Sequence, residues 1–180
     1  MKNLLLIGIL SVFFLLSAGC GSDNILDSYS FGEQVFHAGQ SEITVELPYE
    51  LGKNKNTTES QDGYPLDSYA GLGEHIAVYI EAKQPTATKI LPDPSTITDK
   101  SVSVFQSNQG DVSQDTIDLG GVQAHKVTAT FIQNNIKYSF LQYVFLDKGV
   151  LWNIVYQYQT DDEVGAGISK EIADKIKVTH

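Results

Sequence analysis

The residues best suited to chemistry are few: one cysteine, Cys20, and four histidines in a chain of 180 residues. The histidines are His37, His75, His125 and His180. They form no H-x-H, H-x-x-x-H or His-Glu-x-x-His pattern, the spacings that place two imidazoles on one metal ion. His75 and His125 could meet only if their strands were neighbours. We therefore expect no metal site and no cofactor, and we expect His75 and His125 to be partly buried strand residues with local hydrogen bonds.

Cys20 stands at the end of a three-part N-terminal segment. Lys2 supplies a positive charge, an apolar run extends from Leu4 to Leu16, and small residues precede the cysteine. This is the layout of a secretory signal peptide. The run is too short to span a bilayer, which takes about 20 apolar residues. Residues 16–20 resemble the bacterial lipobox, in which the cysteine thiol receives diacylglycerol and the peptide bond before it is cleaved.

The predicted cleavage divides the chain into three parts. Residues 1–19 form the signal peptide, residues 20–27 a lipidated tether and residues 28–180 a single domain, whose length suits one core. Because two acyl chains anchor a protein stably, we expect Cys20 to hold it on the extracytoplasmic side of the cell membrane or the outer membrane. The alternative is a secreted protein in which Cys20 has no role. The mature domain contains no other cysteine, which excludes disulfides and thiol nucleophiles within it.

The charge of the chain limits its partners. All 12 basic residues are lysines, and removal of Lys2 with the signal peptide leaves 11 of them against 22 acidic residues, a net charge of −11. Nucleic acid is bound by clustered Lys and Arg, and anionic lipid attracts basic patches, so the composition argues against both. A glycan, a peptide or the basic face of an envelope protein fits better. Simple solubility is the alternative explanation of the charge.

Strand patterns dominate the first half of the domain. Residues 41–47 alternate between polar and apolar side chains up to Pro48, which predicts a half-buried strand. Residues 76–80 alternate in the same way, and residues 29–37 show a weaker strand pattern.

The second half of the chain predicts an antiparallel meander. Strand patterns cover residues 122–133, 136–147 and 150–159, and the dipeptides Asn-Asn and Lys-Gly separate them. Two-residue connections rich in Asn and Gly are typical of tight hairpins. The middle strand is apolar on both faces, which predicts a central position covered from both sides.

Two helices are the predicted covers. Residues 160–163 fit a capping box with Thr160 as the cap, and apolar residues at every fourth position in residues 164–176 mark one helical face. A second helix is predicted to begin at Asp93-Pro94. A meander with helices at separate points predicts an α+β fold, an antiparallel β-sheet flanked by helices.

A family resemblance points to the same fold class. Residues 43–49, Ile-Thr-Val-Glu-Leu-Pro-Tyr, resemble the strand-then-proline signature early in the PsbP-like fold. Residues 117–178 resemble its closing half, with a Gly-Gly turn, three long strands and a capped helix. The resemblance implies a PsbP-like α/β/α sandwich over most of residues 40–178. It implies no particular chemistry, because proteins of this fold share a scaffold and not a function.

One segment of the sequence suggests a contact surface. Residues 52–73 are polar and predict a long loop without regular structure, which contains Tyr64 and Tyr69. Loops of this length are usually functional or disordered, and tyrosine is enriched at protein interfaces. Tyr64 and Tyr69 are therefore candidate partner-binding residues, unless they fold back onto the sheet.

The sequence favours a non-enzymatic binding or assembly module of the cell envelope. The alternative is an envelope hydrolase that acts on glycan or peptide through carboxylates or histidines. No nucleophile–base motif and no metal motif is visible in the sequence, so no catalytic residue is assigned, and the first hypothesis is preferred.

Overall fold

The computed structural model describes Leu26 and residues 29–179. The predicted signal peptide and Cys20 lie outside these residues. The described part forms an α+β fold of two antiparallel sheets and two helices. In chain order the strands are β1 (Gly32–Ala38), β2 (Ser41–Leu47), β3 (Gly52–Lys53), β4 (Leu66–Leu72), β5 (Ala77–Lys83), β6 (Asp111–Asp118), β7 (Gln123–Gln133), β8 (Ile136–Asp147), β9 (Val150–Gln159) and β10 (Ile176–Val178), and the helices are α1 (Pro94–Ser107) and α2 (Glu163–Ile172).

The predicted meander is confirmed as β7, β8 and β9. Its two connections have the positive φ angles of tight hairpin turns, with Asn134 at 52°, Asn135 at 64°, Lys148 at 44° and Gly149 at 76°. The meander forms part of a large sheet with the strand order β3-β4-β5-β9-β8-β7-β6. β8 and β9 therefore lie in the interior of that sheet.

The main core lies between the large sheet and a small sheet of β1, β2 and β10. Trp152 and Ile154 of β9 are buried in this core together with Ile43 and Val45 of β2. α2 packs on the same side and adds Ile168 to the core. The small sheet thus covers part of this face of the large sheet, whereas the sequence pattern predicted that helices alone would cover it.

α1 packs on the opposite face of the large sheet. Its Phe105 ring lies 5.4 Å from the ring of Phe131 and 4.8 Å from that of Phe140. The helix begins as predicted, because Asp93 caps it with a 2.8 Å hydrogen bond from the backbone N–H of Ser95. α1 packs mainly on β6, β7 and β8, and Val155 of β9 and Tyr79 of β5 belong to the same apolar cluster as its Phe105.

The prediction for α2 was wrong at both ends. Asp162, and not Thr160, is the cap, because its Oδ1 accepts the backbone N–H groups of Val164 and Gly165 at 3.0 Å. The helix ends at Ile172. The next apolar residue in the pattern, Ile176, lies in β10, where pairing with β2 buries it and overrides the helical periodicity.

The prediction of an irregular loop over residues 52–73 was also wrong. The segment contains β3 and β4, and β4 pairs with β5 along its whole length. Leu66–Leu72 shows little apolar alternation, so the partner strand, rather than a local pattern, stabilises it. Among the described residues, no helix is long and apolar enough to cross a bilayer.

Candidate functional site

The large sheet carries a cluster of polar side chains on the face where α1 packs. Ser68 of β4 pairs with Glu81 of β5, which pairs in turn with Asn153 of β9. Residues directly opposite each other in an antiparallel sheet project to the same face, so these three side chains are neighbours. We define the polar face by six residues on this side of β4, β5, β8 and β9: Ser68, Tyr79, Glu81, Gln142, Asn153 and Gln157.

A directed chain of hydrogen bonds crosses the polar face. Gln142 Nε2 donates to Asn153 Oδ1 at 2.9 Å, and Asn153 Nδ2 donates to Glu81 Oε2 at 3.3 Å. The hydroxyl of Tyr79 donates to the other carboxylate oxygen, Glu81 Oε1, at 2.6 Å. Because an ionised carboxylate only accepts hydrogen bonds, Glu81 is the common end point of these donors.

Two atoms of the polar face have no hydrogen-bond partner among the described residues. They are Gln142 Oε1 and Gln157 Nε2, in residues that are only 4% and 5% exposed. A buried polar group without a partner costs about 1–3 kcal/mol, and such groups are rare enough in native proteins to require an explanation. One atom accepts and the other donates, so a hydroxyl group has the right chemistry for either.

The electrostatics of the polar face disfavour a strongly anionic ligand. Glu81 is the one charged residue among the six, and the lysine on the same side of β5, Lys83, is paired with Asp62. Burial, followed by the charge of Glu81, raises the pKa of Tyr79, so Tyr79 remains a hydrogen-bond donor at physiological pH. Tyr79 and Glu81 are half-buried and the most accessible members of the face, so they form its solvent side.

A lobe formed by residues 54–65 and 84–92 borders the polar face. Its two segments hold each other, because the hydroxyl of Tyr64 donates to the carbonyl of Ile90 at 2.8 Å. Lys89 Nζ lies 5.6 Å above the Tyr64 ring, within the range of a cation–π contact. These contacts join two segments that are distant in sequence, so they could not be predicted from the pattern of residues 52–73 alone.

The lobe reaches the sheet at Lys83, on the same face as Glu81 and two residues further along β5. Lys83 Nζ lies 3.3 Å from Asp62 Oδ1 in the lobe. Side chains two residues apart in a strand share a face, so this ion pair closes one end of the polar face.

The structure places the two candidate tyrosines in different surroundings. Tyr64 lies in the lobe and contacts Ile90 and Lys89 there. Tyr69 lies in β4 next to Ser68, and successive strand residues project to opposite faces, so its ring points away from the polar face. That ring packs edge-on against Phe36 at 4.8 Å, and Lys53 Nζ lies 5.8 Å from its centre.

The histidines do not form a common site. His125 lies in β7 and His75 lies two residues before β5, with β8 and β9 between those strands. His75 Nδ1 instead forms a 2.8 Å hydrogen bond with Oδ2 of Asp162, the cap of α2, and His37 lies 3.2 Å from Glu42. The predicted partial burial of His75 and His125 is confirmed, as is the predicted hydrogen bond of His75. Within the described residues no cluster of three or more His, Cys, Asp or Glu side chains could hold a metal ion.

Sequence reasoning missed the polar face, although the sequence contains a signal for it. Gln142 interrupts the run Phe-Leu-Gln-Tyr-Val, and Asn153 interrupts Leu-Trp-Asn-Ile-Val. A buried amide needs a hydrogen-bond partner, so amides in strands that are otherwise apolar on both faces indicate a site.

No protein-family model and no curated protein sequence matches the chain. Solved structures with a similar fold do exist. The cyanobacterial PsbP protein of Synechocystis, CyanoP, is 12% identical with a TM-score of 0.53, over 90% of this chain and 98% of that one. LpqN of Mycobacterium tuberculosis, a protein involved in cell envelope biogenesis, is 12% identical with a TM-score of 0.47, over 87% of this chain and 96% of that one.

A third similar structure is a longer protein of Bacteroides thetaiotaomicron. It is 9% identical with a TM-score of 0.43 over 77% of this chain, and this chain spans 45% of its length. At these identities a structural likeness shows the fold and not the function. The likeness to CyanoP, together with the sheet and helix arrangement, shows that this chain has the PsbP-like α+β fold.

Proposed function

We propose that this protein is a lipid-anchored, non-enzymatic binding module on the extracytoplasmic side of a bacterial envelope, with its ligand bound at the polar face. The observation that carries the binding site is the pair of buried, unpaired amide atoms, Gln142 Oε1 and Gln157 Nε2. The anchor rests on the lipobox-like residues 16–20 of the sequence.

A glycan is the partner that suits the polar face best. A sugar hydroxyl both donates and accepts hydrogen bonds, so it can donate to Gln142 Oε1 or Glu81 and accept from Gln157 Nε2. The lysine on this side of β5, Lys83, is already paired with Asp62, and the net charge of the domain disfavours a phosphate or carboxylate ligand further. A peptide with a basic side chain on Glu81 is the second partner that this chemistry allows.

A hydrolase has less support from the geometry. Glycosidases use two carboxyl groups about 5–10 Å apart, and Glu81 is the single carboxylate among the six residues of the polar face. The neighbouring Asp62 is paired with Lys83. The other pair that resembles catalytic machinery, His75 and Asp162, has a structural role because Asp162 caps α2.

The test replaces Gln157 with methionine, a side chain of similar length and shape. If the amide serves a ligand, Gln157→Met removes an unpaired buried group and raises the free energy of unfolding by up to about 1 kcal/mol. The same variant should lose capture of the partner, because function and stability oppose each other at such a position. The matched control is Gln123→Met, at an exposed residue of β7, which should change neither property.

Capture is measured with the lipidated protein and detergent-solubilised envelope, followed by titration with isolated envelope glycans. Wild type and Gln123→Met should retain a partner that Gln157→Met loses. Equal capture by all three proteins would reject the polar face as the binding site. Release of a cleaved product during the titration would favour the hydrolase.

A further inference from the structure

Two isoleucines flank the tip of the β7–β8 hairpin and project into solvent. Ile132 is 70% exposed and Ile136 is 38% exposed, and the turn residues Asn134 and Asn135 lie between them. Ile132 pairs with Lys137, whereas Ile136 pairs with the residue after Ile132, so the two side chains project to opposite faces. The tip therefore carries one exposed isoleucine on each of its two faces.

The hairpin tip lies at the end of the domain where the chain enters it. The backbone N–H of Thr160 donates to the carbonyl of Lys137 at 2.9 Å, which places the start of α2 beside the hairpin. Leu26 packs on the same helix, because a Cβ atom at Gly167 would lie 2.7 Å from Leu26 Cδ1. Gly167 is four residues into α2 after Glu163, or about 6 Å along its axis.

We propose that the β7–β8 hairpin tip contacts the lipid bilayer, with Ile132 and Ile136 inserted at the headgroup level. This inference rests on the proposed anchor at Cys20. Five residues separate Cys20 from Leu26, and the six steps between them keep Leu26 within about 20 Å of the lipidated residue even when that segment is fully extended. The end of the domain that carries the tip therefore faces the bilayer at close range.

The contact is apolar and not electrostatic. Lys137 is adjacent to the tip, but Asp161 lines the same cleft as Lys137 and Ile136, and Glu163 begins α2 nearby. These acids offset the charge of the lysine, so attraction to anionic headgroups contributes little. Surface electrostatics are screened at high salt, where the Debye length falls to about 3 Å at 1 M, and the contact should persist there.

The experiment places a fluorescent label at Ile132. In the mature lipidated protein the thiol of Cys20 carries the lipid, so Ile132→Cys introduces the single free thiol. The protein is anchored in vesicles of phosphatidylethanolamine and phosphatidylglycerol and labelled with an environment-sensitive dye. Ile90→Cys is the matched control, since Ile90 is 89% exposed and lies in the lobe at the opposite end of β5.

We expect the label at residue 132 to emit at shorter wavelength and to resist aqueous iodide several-fold better than the label at residue 90, at low and high salt alike. Nitroxide-bearing lipids should quench the label at residue 132 alone. Vesicle-bound protein with equal iodide access at both positions would overturn the hairpin contact and leave the anchor intact. Protein that does not float with the vesicles would overturn the anchor and this inference together.

Discussion

Trp152 Nε1 donates a 2.8 Å hydrogen bond to Ser41 Oγ and so joins the large sheet to the small sheet inside the core. Ser41 Oγ donates in turn to Asp147 Oδ2 at 2.5 Å. All three residues are buried. A polar chain through the core therefore fixes β2 relative to β8 and β9.

Ser41→Ala should lower the free energy of unfolding by about 1–3 kcal/mol, because it leaves the buried N–H of Trp152 without an acceptor and Asp147 without a donor. Urea denaturation followed by the fluorescence of Trp152, the one tryptophan of the chain, measures the loss. Ser113→Ala, at an exposed residue of β6, should stay within about 0.5 kcal/mol of wild type. Equal effects of the two substitutions would show that the polar chain does not stabilise the core.

Gly71→Ala should destabilise the fold through a clash with the ring of Tyr49. A Cβ atom at residue 71 would lie 2.4 Å from Tyr49 Cε2 and 2.6 Å from Leu51 Cδ2, and overpacking of this kind costs about 1–3 kcal/mol. At Gly32 an added Cβ meets nothing within 4 Å, so Gly32→Ala is the control and should be close to neutral. Thermal melts of both variants test this prediction, and a Gly71→Ala protein as stable as Gly32→Ala would contradict it.

The stability of the protein should fall at alkaline pH in part through Tyr49. Burial raises the pKa of Tyr49 to about 12, against a lowering effect of nearby backbone groups, and its hydroxyl donates to the carbonyl of Ile76 at 2.7 Å. A tyrosine whose pKa is higher in the folded state contributes stability that is fully present below its unfolded pKa of about 10. That stability is lost as the pH rises from about 10 toward the folded pKa of about 12.

Tyr49→Phe should therefore flatten the decline of the unfolding free energy across this alkaline range. Urea denaturation of wild type and variant at successive pH values measures the two slopes. Parallel curves would mean that Tyr49 ionises equally well in the folded and unfolded states.

Tyr64→Ala and Tyr69→Ala should separate binding from stability. Tyr69→Ala removes an edge-on aromatic contact with Phe36 and should cost about 1–3 kcal/mol. Tyr64→Ala removes an exposed hydrogen bond and should cost no more than about 0.5 kcal/mol. Because Tyr64 joins the two segments of the lobe that reaches the polar face at Lys83, its loss should weaken partner capture. A stability loss confined to Tyr64→Ala would contradict both assignments.

Cys20→Ala should leave the protein as an uncut precursor or release it from the membrane, because the thiol carries the proposed anchor. Membrane fractionation combined with the mass of the recovered protein distinguishes the two forms. A variant that is cleaved but still fractionates with membranes would rule out the lipid anchor.

The strands and the helix start that were predicted correctly are determined by residues within or next to each element. β2, β8 and β9 have the predicted bounds, because side-chain alternation or continuous apolar runs end at a proline or at two-residue turns. The start of α1 is likewise specified locally, by the pair Asp93-Pro94. In each case the information lies within one element and its flanks.

The elements that were missed depend on distant partners. β4 has a weak pattern of its own and exists through pairing with β5, and β6 is a polar strand at the edge of the large sheet. Ile176 continues a helical spacing but joins β2 instead. The polar face has the same origin, because Glu81 and Asn153 become neighbours only once β5 and β9 pair, 72 positions apart in sequence.

The small sheet has a consequence for how the protein is made. Ile176 and Val178 of β10 pair with Val45 and Ile43 of β2. During synthesis β2 is made first, and its partner β10 follows more than a hundred residues later. Contacts between such distant segments close slowly, because the entropy of a long loop is lost before the contact forms. A nascent chain in which β10 is still inside the ribosome cannot complete the small sheet, so the core closes only after residue 178 has emerged.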